Sequence, residues 1–165
     1  METLDALARQ YHSSLKMLDQ AIALSPEPLW LASLSSSPNR YWHIAYHALF
    51  YTHFYLAPTE ADFVPWRLHR KEYNFLGAVP WRPGESHIAE IPYTQLELRE
   101  YLDFCHGEVD KQTAVLDLES PSGFRWLPFN KLELQLYNLR HLSHHTGELT
   151  DRLRSQANLG VAWVR

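Results

Sequence analysis

RYWHIAYHALFYTHFYLA, residues 40–57, is apolar on nearly every face when wound at helical pitch. A helix of that kind has no side to offer to water and must be enclosed by other helices. Its three histidines, His43, His47 and His53, are therefore unusual. A buried neutral imidazole needs partners for its ring nitrogens, or its burial costs roughly a few kcal/mol.

Working outward, the helix is predicted from Asn39 to Ala57, with Ser37 as a candidate cap and Pro38 suited to the first turn. Pro58 stops it, because proline removes a backbone donor and clashes with the preceding turn. Upstream, Leu4, Leu7, Ala8, Tyr11, Leu15, Leu18 and Ile22 recur at helical spacing, so residues 3–24 read as an amphipathic helix that SPEP at 25–28 ends. Downstream, 59–93 carries Pro65, Pro80, Pro83, Pro92, Gly77 and Gly84. That stretch is expected to hold a short helix around 60–75 and then a long irregular loop, whose Trp66, Trp81 and Tyr93 either wall a site or pack over helix ends. Thr94 with Glu97 has the capping-box pattern and opens a helix to about Leu118. SPSG at 120–123 breaks it. A second capping box, Asn130 with Glu133, opens the last helix, to about Ser155, and the apolar tail NLGVAWVR packs back on the body or on a second copy. The expectation is one all-α domain over residues 1–165, a four-helix bundle with a long loop between its second and third long helices.

Composition excludes several classes. A net charge of −4 and a pI near 6.2 leave no electrostatic footprint for nucleic acid. No run of about 18 apolar residues is present to span a membrane. The N-terminus lacks the pattern of a secretory signal. A single cysteine, Cys105, rules out an internal disulfide and suits a reducing compartment, so the cytoplasm is the expected location. Cys105 sits at an apolar helical position and reads as core.

The last helix contains NLRHLSHHTGELTDRLR, residues 138–154. His141 and His145 are four apart and emerge on one face, where two imidazoles can reach one ion at about 2.0–2.1 Å. Asn138, Glu148 and Arg152 share that stripe. Leu132, Leu136, Leu139, Leu149 and Leu153 form the neighbouring stripe, read as the core face. A third ligand comes from the apolar helix, with His47 the first candidate and His43, one turn earlier, its rival. Hydrogen bonding of these histidines to the abundant tyrosines is the competing explanation.

The pairing of AYHALFYTHFYL with RHLSHHTGEL resembles the DinB/YfiT-like superfamily of four-helix bundles, in helix order and loop length over essentially the whole chain. That resemblance implies His47, His141 and His145 as metal ligands, with His144 turned away. Many members have Arg where Thr146 stands and Gln where Glu148 stands, which leaves Glu148 open as a fourth ligand or a catalytic base. Three neutral histidines leave coordination positions free, as in catalytic sites, and suit Zn²⁺ or Ni²⁺, with Fe²⁺, Co²⁺ or Mn²⁺ also admissible. The resemblance implies a metal-dependent hydrolase or a thiol-dependent transferase acting on a small molecule, with a low-molecular-weight thiol as a possible co-substrate. The alternative is a non-enzymatic metal-binding or stress-associated bundle. A homodimer is expected from the aromatic surfaces and the apolar tail.

Overall fold

Leucines and tyrosines at helical spacing bury one face of α1 (Glu2–Leu24), led by Leu7, Tyr11, Leu15, Leu18 and Ile22. The structure, a computed structural model, describes residues 2–33, 38–79, 82, 84 and 89–165. Ser37, the expected cap, and Trp81 lie outside the described residues, as do Pro80 and Pro83. SPEP ends α1 and then starts the five-residue α2 (Glu27–Leu31), because Pro28 falls in a first turn, where a missing N–H costs nothing. The apolar segment forms α3 (Tyr41–Leu56), followed by α4 (Gln95–Thr113) and α5 (Lys131–Ala157). Among the described residues no strand forms, and no helix is long and apolar enough to cross a membrane.

The four long helices make a bundle. α1 packs on α4 and α5, and α3 packs on the same two, so α3 faces α5 along most of its length. His12 on α1 ties to α4 through His106 (Nδ1 to Nδ1, 2.6 Å) and Asp110 (2.8 Å). Of the two expected capping boxes, Thr94 and Glu97 close a reciprocal one, while Asn130 forms only a one-sided cap, its side chain accepting from the Glu133 amide at 3.0 Å.

Three expectations need correction. Residues 60–75 form successive turns in place of a helix, since Pro65 interrupts the run and Glu72 takes a left-handed φ of 67°. α4 stops at Thr113, short of Leu118, where tighter bonds from the Val115 and Leu116 amides close its last turn. The third concerns α5. Leu136 is 54% exposed, whereas Lys131, Gln135, Asn138 and Arg152 are buried. Each of these polar groups reaches a backbone carbonyl of α3 or its ends: Lys131 Nζ donates to Ala57 and Pro58, Gln135 to Tyr55, Asn138 to Thr52, and Arg152 to Asn39. Paired in this way, polar side chains can take core positions that hydrophobicity alone assigns to leucine.

The tail folds back on α1. Asn158 takes a left-handed φ of 55°, Val161 is buried, and Ala162 exchanges two hydrogen bonds with Gln20.

Candidate metal centre

α3 buries every residue except His47, Tyr51 and Phe54, whose spacing of four and three sets them on one half-open stripe. That stripe meets α5 at His141 and His145. One ring nitrogen from each of His47, His141 and His145 lies within 4.8 Å of the others. His47 Nε2 and His141 Nε2 are 3.0 Å apart. Two nitrogens bound to one ion at about 2.0–2.1 Å, with angles of 90–110°, stand roughly 2.9–3.4 Å from each other, so this spacing is compatible with a shared ligand set, as it is with a hydrogen bond between two neutral rings.

Hydrogen bonds on the outer sides of the rings decide the tautomers. The His47 Nδ1–H donates to the Asn74 carbonyl at 2.6 Å, which leaves its Nε2 a bare lone pair. The His145 Nδ1–H donates to Glu148 at 3.2 Å, which leaves its Nε2 bare as well. His141 is neutral and carries one proton for two nitrogens, and its buried Nδ1 has no partner. If that proton sits on Nε2, Nδ1 is an orphaned acceptor. If it sits on Nδ1, three bare nitrogens face one another. With the proton on Nδ1, the three bare nitrogens are a donor set that a cation fits.

The histidines are held in the form that binds metal. Burial lowers the pKa of His47 well below the imidazole range, with help from His145 and His141. Burial brings His141 down to about 4, assisted by His145 and His144. His145 is lowered by burial, against the opposing pull of Glu148.

Comparison with protein-family models, with curated proteins and with solved structures found no match. The centre therefore has to be judged on its own geometry. Of the two rival residues on α3, His43 is buried and donates Nε2–H to the Tyr73 carbonyl at 2.7 Å, so His47 is the one beside the pair. His144 is exposed. It also lies within 4.8 Å of His145 and Glu148, but Glu148 is already engaged by Arg152 at 2.9 Å. Cys105 is fully buried, its thiol 3.7 Å from the Leu49 carbonyl and its pKa raised by burial, as befits a core residue. Trp66 and Tyr93 pack inward: Trp66 stacks on Tyr101 at 4.3 Å, and the Tyr93 hydroxyl donates to the Leu68 carbonyl at 2.6 Å.

Two neighbours of the centre escaped the sequence reading. Tyr51 lies against both His47 and His141, with ring centroids 4.8 and 5.3 Å away. Its position one turn after His47 was a usable signal. Asn74 sits in an irregular loop, and nothing in the sequence marks it.

His53 faces elsewhere, 3.1 Å from the Tyr101 hydroxyl and 5% exposed. Burial lowers its pKa to about 4 from an ordinary 6.5. Because the folded value lies below the unfolded one, the folded state resists protonation. The associated stability is intact above pH 6.5 and is lost as the pH falls toward 4. Urea unfolding at pH 7 and pH 4 is expected to show wild type losing about 3 kcal/mol more than His53→Gln. Equal losses would contradict this.

Proposed function

We propose that this chain is a metal-dependent enzyme of the DinB/YfiT-like kind, a hydrolase or thiol-dependent transferase, in which His47, His141 and His145 hold one divalent ion. The observation that supports it best is the convergence within 4.8 Å of a ring nitrogen from each of three imidazoles on two facing helices, with His47 and His145 turned Nε2 inward by hydrogen bonds at Nδ1. Zinc or nickel suits such a nitrogen set best, with iron, cobalt and manganese admissible. When bound, an ion of this kind polarises an oxygen- or sulfur-bearing ligand and lowers its pKa.

The chain's own residues hold the ligands and leave a way in. Asn74 and Glu148 fix the ring orientations of His47 and His145, the outer-shell arrangement that raises ligand basicity. Arg152, buried and anchored on the Asn39 carbonyl, holds the Glu148 carboxylate in place. Glu148 thus acts through His145 as a positioning residue, in place of a fourth ligand or base. His47 and His141 are half-buried, so the centre is not sealed from solvent.

Glu148→Gln is expected to weaken metal binding by about 10–100-fold, measured by competition with a chromogenic chelator. Unchanged affinity would remove Glu148 from this role. To test the activity, zinc-loaded and nickel-loaded protein is assayed with para-nitrophenyl acetate, and with glutathione plus chlorodinitrobenzene. Turnover that chelation abolishes and that is missing in His141→Ala supports an enzyme. Stoichiometric metal with no turnover on either pair favours the non-enzymatic metal-binding reading.

A further inference from the structure

The half-open stripe of α3 continues beyond the histidines. From His47 through Tyr51 to Phe54 it runs about 10 Å along the helix and enters a cavity of about 570 Å³. The walls are Phe50, Tyr51, Phe54 and Tyr55 of α3, Phe75 of the long loop and Trp126 of the loop before α5. That volume falls in the range of small-molecule sites, which are mostly apolar with a few placed polar groups.

The polar groups here are few and informative. Asn74 belongs to both places: its carbonyl fixes His47, and its side-chain amide lines the cavity and donates to the Tyr51 hydroxyl at 3.3 Å. Since that oxygen already accepts a hydrogen bond, its own O–H is available to donate to something in the cavity. The charged residues in the lining are Glu60 and Arg125, both exposed and of opposite sign, so the cavity as a whole favours neither anion nor cation. Six aromatic walls favour a flat ring system, through offset and edge contacts beyond plain area burial.

We propose that this cavity is the substrate subsite, taking an uncharged planar aromatic compound whose oxygen accepts a hydrogen bond from Tyr51 beside the histidines. Its role as a substrate site rests on the metal reading above, whereas occupancy by an aromatic ring does not. Among the described residues no histidine lines the cavity itself; Tyr51 is the wall that separates its space from His47 and His141, so an occupant with its oxygen at Tyr51 lies one side chain from the centre, with the rest of its body along Phe54 and Trp126.

Calorimetric titration of the full chain with naphthol, and with cyclohexanol as a non-planar alcohol, tests this on both zinc-loaded and chelator-stripped protein. Naphthol is expected to bind saturably in both states, and cyclohexanol about tenfold more weakly or worse. Trp126 is 45% exposed, so Trp126→Ala leaves the core intact; it is expected to weaken naphthol about fivefold. Tyr51→Phe is expected to weaken it by a similar factor through the lost hydrogen bond. Phe75→Ala is a second wall variant, and thermal melts establish that all three fold. The proposal is overturned if naphthol does not saturate, if cyclohexanol binds as well, or if Trp126→Ala and Phe75→Ala both leave the affinity unchanged. Naphthol binding without any zinc uptake would sink the metal reading and leave the aromatic site standing. Zinc uptake without naphthol binding would do the reverse.

Discussion

Protein purified without a tag and loaded with zinc is expected to carry one ion per chain, and His141→Ala or His145→Ala to carry almost none. Both residues offer a nitrogen that no acid or carbonyl already occupies, and both are held neutral by burial. Losing an outer-shell partner typically costs 10–100-fold in affinity, so losing a ligand from a set of three should cost more than about 100-fold. Elemental analysis after dialysis reads this directly. His144→Ala is the control: His144 is exposed, and its removal is expected to leave the ion in place. Equal loss in all three variants would contradict the choice of His141 over His144, and metal kept in His141→Ala but lost in His144→Ala would move the site to His144, His145 and Glu148, among the described residues the other group close enough to hold an ion. Loss of metal in His43→Ala but not in His47→Ala would reverse the choice on α3.

The second large effect concerns the frame that holds α3 against α5. Gly123 has a φ of 83°, and a Cβ added there would stand 2.4 Å from the Pro58 carbonyl oxygen and 2.9 Å from the Thr59 Cα. Both obstacles are backbone, so neither can rotate away. The Glu60 amide also donates to the Gly123 carbonyl at 3.1 Å, fixing the loop before α5 to the end of α3. Gly123→Ala is expected to destabilise the protein by about 3 kcal/mol or more, from left-handed strain plus the forced separation. For a domain of this size that lowers Tm by roughly 6–12 °C. Gly107→Ala is the matched control. Gly107 lies within α4, a Cβ there meets nothing within 4 Å, and its replacement is expected to be stabilising by up to about 1 kcal/mol. A melt in which the two variants behave alike would contradict the role given to Gly123.

Much of the bundle was legible because helix period and caps are local properties. The run from Tyr41 to Leu56, the Thr94 box and the Asn130 cap all act within a few residues of themselves, and all formed where expected. The inner face of α5 was less legible. Leucine spacing pointed to Leu136, yet Gln135 and Asn138 lie inside because they find carbonyls on α3, and such partners are invisible until the helices are brought together. The same limit applied to the centre. Spacing alone could pair His141 with His145 and bring His47 under suspicion, but the choice of His47 over His43 depends on the carbonyls of Tyr73 and Asn74. Those two carbonyls lie in a segment whose turns depend on Pro65 and on the positive φ of Glu72, not on any repeating pattern.

Convergence of the rings of His47, His141 and His145 on a single cation is the claim from which the proposed activity follows. Anomalous-difference density from a zinc-soaked crystal, collected on both sides of the zinc absorption edge, tests it most directly. The expected result is one strong peak about 2.0–2.1 Å from a nitrogen of each of the three rings. An empty centre in a crystal that holds zinc elsewhere, or a peak coordinated by His144 and Glu148 in place of His47 and His141, would contradict it.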